Sequence, residues 1–538
     1  MNNSRMTTHR RKFLQQIGLG TAGLGFAPLI SGCRTGQLSA GPAALPRSTP
    51  EAEGVSSAGI LAFLQAAQAR HELHSFMLLR HGRVVAEGWW TPYGPRLNHT
   101  LYSMSKSFTA TAVGLAAAEG RLTVDDKVVS YFPQDLPATV SDHLAALRVR
   151  DLLSMSVGNE TEPTQAMVRE TNWAKTFLAA PITHPPGSTF MYNSGATYMC
   201  SAIVQQVTGQ KVVDYLRPRL FEPLGIASMT WETCPRGVNV GGWGLSVPTE
   251  ALAKFGELYL RQGIWQGRQL LPAAWVTAAT TFKIQQPLPA KPGRPNAQND
   301  WLQGYCYQFW RSTHNAYRGD GAFGQFTIIM PDQDAVLAIT SESKDMQGEL
   351  DLVWEHLLPA MHAQPLPADR QLQARLQQTL ASLALTPPPG QLTSPTADQI
   401  SGRTFRLAAN GLGLLSAAFE FRLDACMVTL TDAQATYHLT CGAHQWVRGE
   451  TALPGTPPRL ISGGAPKRGT PAKVAACGRW QDANTFEIVL RYYETPHHDT
   501  VTCRFDDGQL SISFLSSIRA MGNPAKDQRP TLQGRMAG

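Results

Sequence analysis

An α+β fold is predicted for this chain from three observations: an apolar hairpin near residue 80, a second near residue 333, and helical segments in the long stretch between them. The first hairpin spans Ser75 to Trp90, with Phe76 to Leu79 and Val84 to Ala86 on either side of a turn at His81-Gly82. The second sets Phe326 to Met330 and Ala335 to Thr340 around Pro331-Asp332-Gln333-Asp334. One antiparallel sheet built from both chain ends follows, flanked by helices. A helical insertion is expected around Val149 to Met155, Thr197 to Val207 and Thr249 to Arg261, interrupted by turns such as His184-Pro185-Pro186-Gly187. A further helix is expected near Gln347 to Met361, and a polar helical stretch from Asp369 to Leu385 runs into Pro387-Pro388-Pro389-Gly390, which marks a boundary. Beyond it the segments shorten and alternate. Phe486, Ile488, Leu490 and Tyr492 share one strand face, and Val501 to Phe505 and Leu510 to Phe514 flank the hairpin turn Asp507-Gly508. Residues 400–530 therefore read as a small antiparallel β domain.

At 538 residues the chain can bury more than one core. Its N-terminus runs from His9-Arg10-Arg11-Lys12-Phe13-Leu14 through an apolar Gly/Ala/Leu stretch to Ile30-Ser31-Gly32-Cys33, the layout of a cleavable export signal. The paired arginines resemble a twin-arginine signal. The tetrapeptide ending at Cys33 resembles the bacterial lipoprotein cleavage box, which implies acylation of Cys33, membrane attachment through it, and a periplasmic location. The expected division is signal 1–32, linker 33–47, the main α+β domain 48–365, a second linker with a helix and a proline-rich end at 366–399, and the β domain at 400–530. The formal charge of +7 includes Arg5, Arg10, Arg11 and Lys12 with no acid before Cys33, which leaves +3 for the remainder and argues against a nucleic-acid partner. The other cysteines, Cys200, Cys234, Cys306, Cys426, Cys441, Cys477 and Cys503, are odd in number and lack metal-site spacing. Buried free thiols are expected.

Ser103-Met104-Ser105-Lys106 sets a hydroxyl and an amine three positions apart, on one face of a helix. A serine hydroxyl needs an adjacent base, and a desolvated lysine of lowered pKa can supply it. At a helix start the serine N–H can also face the oxyanion that forms after attack. Ser105 is adjacent to Lys106 in sequence, so their side chains diverge. Tyr192-Asn193-Ser194 follows Pro185-Pro186-Gly187-Ser188-Thr189-Phe190, an approach that presents a phenol from a turn; a tyrosinate near Lys106 could take the Ser103 proton. Gly319-Asp320-Gly321-Ala322-Phe323-Gly324-Gln325 precedes a predicted strand, and its glycines allow backbone N–H groups to approach a carbonyl closely.

Over about residues 50 to 360 the chain resembles the penicillin-recognising serine hydrolases: class C β-lactamases, D-Ala-D-Ala carboxypeptidases, related esterases and 6-aminohexanoate-dimer hydrolases. The resemblance rests on Ser103 to Lys106, Asp151-Leu152-Leu153-Ser154-Met155, Pro186-Gly187 to Tyr192, Glu222-Pro223-Leu224-Gly225, and Gly321 to Gln325 before Pro331. It implies a β-lactamase-like fold with Ser103 as the acylated nucleophile. Lys106 and Tyr192 would share the base and acid roles, and the Ser103 and Ala322 N–H groups would form the oxyanion hole. It further implies substrate contacts from Asn193, Ser194, Gly319, Asp320, Gly321 and Gln325, a small-molecule ester or amide substrate, and no metal or cofactor.

Two positions depart from the family pattern. The usual Tyr-x-Asn ends here in Ser194, and Lys-Thr-Gly is replaced by Gly319-Asp320-Gly321, which removes a cation that Arg318 is near enough in sequence to restore. This favours an esterase or amidase over a β-lactamase or carboxypeptidase, and Gly324-Gln325 points to the aminohexanoate-dimer branch. A sensor that is acylated without turnover, or an anchored binding protein, is the alternative of another class. Gly244-Leu245-Ser246-Val247-Pro248 lacks the final glycine of a nucleophile elbow. Glu160 and Glu162 read as solvated loop acids, and His497-His498-Asp499 as a polar turn whose histidines face opposite ways. No titratable cluster is expected in the C-terminal domain, whose partner the sequence leaves open.

Overall fold

Leu73 to Trp89 folds back on itself because His81 and Gly82 both adopt left-handed backbone, φ 50° and 73°, which matches the twist of a tight hairpin. In the computed structural model, which describes residues 44–287, 294–461, 471–521, 527 and 529–537, this hairpin follows helix α1 (Ser57–Arg70) as strands β1 (Leu73–Arg80) and β2 (Arg83–Trp89). The export-signal pattern and Cys33 lie outside the described residues. Every residue of β1 is buried. Met77 and Leu79 enter the core of the helical insertion, whereas Phe76 and Leu78 enter the core beneath Ile60, Phe63 and Leu64 of α1. A strand covered on both faces has no use for polar alternation, which is why it reads as a continuous apolar run.

The insertion supplies α2 (Ser105–Ala118), α3 (Val149–Leu153), α4 (Ser194–Thr208) and α5 (Thr249–Leu260) before the chain returns as β3 (Trp310–Arg311), β4 (Tyr317–Gly321), β5 (Gln325–Met330) and β6 (Ala335–Ser341). The six strands form one antiparallel sheet in the order β2-β1-β6-β5-β4-β3. Phe76 opposite Ile339 and Leu78 opposite Leu337 join the two distant chain segments. Helix α2 is buried from Ser105 to Ala116, as expected of a helix packed on all sides.

Helix Arg370–Ala381, capped by Asp369, precedes the C-terminal part. There ten strands between Thr404 and Met536 form a second sheet whose Thr436–Gly442 and Ala472–Trp480 strands meet at Gly442 and Cys477, so the sheet curls into a barrel. Cys426, Val428 and Leu430 alternate inward along one strand, and Tyr437, Leu439 and Cys441 along the next. The barrel docks on the α+β part through segment 491–498. Arg491 makes a bidentate pair with Glu72 at 2.5 and 2.8 Å. Glu494 O accepts from Thr100 N at 3.0 Å, and Thr495 O from the Tyr93 hydroxyl at 3.1 Å. Cys200, Cys234, Cys306, Cys426, Cys441, Cys477 and Cys503 are buried and unpaired. Among the described residues no helix is long and apolar enough to cross a membrane.

Candidate active site

Ser103 sits in a single 3-10 turn, Tyr102–Met104, that leads directly into α2. Lys106 lies one turn along on the same face and is 1% exposed. Its Nζ is 3.1 Å from Ser103 Oγ, 3.1 Å from Ser194 Oγ and 2.8 Å from Gly242 O. Burial brings the Lys106 ammonium down from its ordinary 10.5 to about 7, with Glu162 and Asp320 pulling the other way. A neutral amine has two N–H bonds, which Gly242 O and Ser194 Oγ satisfy. Its lone pair is then left facing Ser103 Oγ.

Tyr192 reaches the same point from a segment strapped to the chain after α3: Gly187 N donates to Ser156 O at 2.7 Å, and Met191 N to Met155 O at 2.9 Å. Its ring stacks on Trp310 at 5.6 Å and lies 4.8 Å from Lys106 Nζ. The phenol is a hydrogen-bond partner of Ser103, yet burial, reinforced by Asp320, holds it well above its ordinary 10. Tyr192 is therefore a neutral hydrogen-bonding group rather than the tyrosinate that the sequence allowed.

Ser103, Tyr192, Ser194 and Ala322 are partly exposed, and Tyr192 packs with Phe190, Trp301 and Trp310. Asn193 and Gln325 are turned inward instead. Asn193 is fully buried as the N-cap of α4, accepting from Ala196 N at 2.9 Å and donating to Asn159 Oδ1 at 3.2 Å. Gln325 is equally buried and donates to Ala322 O at 3.0 Å and Ser341 O at 2.8 Å. It holds the Ala322 turn from behind. Gly319 and Gly321 serve close packing of β4 on the nucleophile turn: a Cβ at 319 would lie 2.2 Å from Met104 Sδ, and one at 321 would lie 2.0 Å from Leu101 O.

Arg318 does not replace the missing cation. Its guanidinium is fully buried, 3.1 Å from Asp320 Oδ2, 2.6 Å from Ser312 Oγ and over the Trp301 ring. Asp320 is buried against Lys106, Tyr192 and Arg318, and burial raises its carboxyl above the ordinary 3.8. Glu162 is likewise no solvated loop acid. Its Oε1 accepts from Ser194 N at 2.9 Å, its Oε2 from Thr164 N at 3.1 Å, and it also bonds the Thr164 hydroxyl. The acid-Pro-Thr order at 162–164 carried a helix-start signal that could have placed it. Gly242 O, a main-chain acceptor, leaves no signature in sequence.

The C-terminal part also contributes titratable groups, against expectation. His497 precedes the strand His498–Asp506, so the two histidines need not diverge, and both turn Nδ1 toward Glu342, at 2.6 and 2.9 Å. His497 Nε2 meets the Tyr102 hydroxyl, one residue from the nucleophile. Among the described residues one trio, Glu72, Glu342 and His498, brings possible metal-ligand atoms within 4.8 Å of one another. Its carboxylates are already engaged, Glu72 by Arg491 and His74, and Glu342 by His497 and Ser517.

The beta-lactamase family profile matches residues 65–361. The chain is 26% identical over 289 residues to the 6-aminohexanoate-dimer hydrolase of Paenarthrobacter ureafaciens, covering 50% of this chain and 73% of that protein. It is 24% identical over 144 residues to Protein flp of Staphylococcus aureus (strain MW2), covering 26% of this chain and 29% of that one. Among solved structures, the octameric penicillin-binding protein homologue from Pyrococcus abyssi superposes with a TM-score of 0.44 at 13% identity, covering 88% of this chain and 99% of that one.

Proposed function

We propose a two-step acyl transfer at Ser103 for this chain, which belongs to the β-lactamase family by a match over more than half its length. Neutral Lys106 takes the Ser103 hydroxyl proton as Oγ attacks an ester or amide carbonyl, and the carbonyl oxygen gains charge toward the N–H groups of Ser103 and Ala322. Tyr192, kept protonated by burial, relays a proton to the leaving alcohol or amine, and Lys106 replaces it. The C–O or C–N bond breaks to leave an acyl-serine. Water, deprotonated by Lys106, then releases the acid and regenerates Ser103. The observation that carries this reading is the buried amine 3.1 Å from Ser103 Oγ.

The substrate class follows from charge. Arg318, the cation nearest in sequence to the missing one, is neutralised by Asp320, and the Asp320 and Glu162 carboxyls near Lys106 disfavour a substrate carboxylate. The aromatic cluster around Tyr192 suits a neutral acyl or leaving group. This supports an esterase or amidase over a β-lactamase or carboxypeptidase. Purified protein offered p-nitrophenyl esters, a chromogenic cephalosporin and linear amides tests the ranking. Ester or amide turnover lost in Ser103→Ala is expected. Rapid cephalosporin turnover with negligible ester cleavage would reverse the ranking, and one stable acyl group per chain without turnover would favour the sensor. The N-terminal pattern supports export and anchoring through Cys33; incorporation of labelled fatty acid that persists in Cys33→Ala would count against it.

A further inference from the structure

We propose that the C-terminal barrel completes the acyl-transfer site: His497, held by Glu342, is a positioning residue for both oxyanion-binding N–H groups, acting through Tyr102 and Phe323. The proposal rests on the reading of Ser103 and Ala322 given above. Ser103 follows Tyr102 and Ala322 precedes Phe323, and both aromatic neighbours have left-handed backbone, φ 48° and 68°. Residues with a Cβ seldom adopt that conformation, and it persists where surrounding contacts over-determine it.

The contacts here converge on one imidazole. The Phe323 ring meets the Tyr102 ring edge-on at 5.5 Å and the His497 ring at 4.8 Å and 88°. Tyr102 Oη bonds His497 Nε2. His497 is fully buried, and its Nδ1 is 2.6 Å from Glu342 Oε1, which Ser517 Oγ also approaches at 2.5 Å. With Nδ1–H given to the carboxylate, Nε2 presents a lone pair to the Tyr102 hydroxyl, so the tautomer and ring orientation are set together. From the other side, Ser343 N and Ser341 Oγ hold Phe323 O at 3.0 and 2.6 Å. Glu342 lies between those two serines in sequence. The barrel histidine thus bridges the turn that carries the nucleophile and the turn that carries Ala322.

An apolar side chain would fill the space, but it would not hold the Tyr102 hydroxyl. The role therefore predicts a loss in the acylation rate rather than in substrate binding, because the two N–H groups act on charge that develops in the transition state. The test uses the full chain and the burst phase of p-nitrophenyl ester cleavage. Tyr102→Phe, which removes one oxygen, and His497→Ala should each slow Ser103 acylation about 10- to 100-fold with KM little changed. His497→Gln, which keeps a donor and an acceptor, should recover part of that rate. Full acylation rates in Tyr102→Phe and His497→Ala would overturn the proposal. So would a rise in KM equal to the loss in rate, or a His497→Gln variant no better than the alanine. Should His497→Ala fail to fold, Tyr102→Phe against wild type decides alone. Ser103→Ala in parallel separates the two readings: turnover that survives it removes the acyl-serine mechanism, whatever the His497 variants do.

Discussion

Lys106 is an amine in a place where an ammonium is poorly solvated, and its chemistry follows from that burial. Because its pKa is lowered toward 7, the base form gains population as pH rises through neutrality. The acylation rate is therefore expected to fall tenfold per pH unit below about 7 and to level off above it, a profile readable from burst kinetics. Lys106→Met should cost at least about 10³-fold, and Lys106→Arg should fare no better, because a guanidinium does not deprotonate in this range. Ser103, Lys106 and Tyr192 were legible in the sequence because each carries its chemistry in a side chain at a telling spacing. Gly242 was not, since any residue offers a carbonyl. Asn193 was legible as an amide but not as a cap: nothing in Tyr192-Asn193-Ser194 says which neighbour the amide turns to. Asn193→Ala should lower stability by about 1 kcal/mol, more if Asn159 is left unpaired, as read by denaturant midpoint.

Strand β4 and the Ser103 turn press against each other with no room for a side chain between them. A methyl group at position 321 would sit 2.0 Å from Leu101 O, so either the strand or the nucleophile turn must move. Gly321→Ala is expected to cost about 1–3 kcal/mol and to reduce the acylation rate more than it raises KM, as measured by unfolding and burst kinetics on one preparation. The sequence showed these glycines and assigned them to substrate approach. Their use in packing depends on the long return of the chain from residue 104 to residue 319, which local pattern does not encode. The two hairpins were legible for the opposite reason: an apolar run, a left-handed turn and a second apolar run are all local. That β1 would be buried on both faces was written in its unbroken apolar stretch.

The barrel and the hydrolytic part are joined by charge as well as by shape, and this was hidden because Glu72, Glu342, Arg491 and His497 are scattered through the sequence. Arg491 holds the Glu72 carboxyl far below its usual range, and His497 with His498 lowers Glu342 from 4.5 to about 2. A carboxylate with a depressed folded-state pKa gives stability that is complete above its unfolded value and is lost as pH falls through the folded one. Thermal stability should therefore hold down to about pH 4.5 and decline toward pH 2. Arg491→Met, which leaves Glu72 with His74 alone, should destabilise the chain by about 3 kcal/mol at neutral pH, near the lower end for a broken buried pair because the Glu72 side chain keeps 29% exposure and its His74 contact. The proposed acyl transfer centres on one serine, and its most direct measurement is the mass of the intact chain after brief exposure to a p-nitrophenyl ester, followed by peptide mapping across pH 5 to 9. A single acyl group on Ser103, formed faster above pH 7 and absent from Ser103→Ala and Lys106→Met, is the predicted result. An acyl group on another residue, or labelling that persists undiminished in Ser103→Ala, would contradict it.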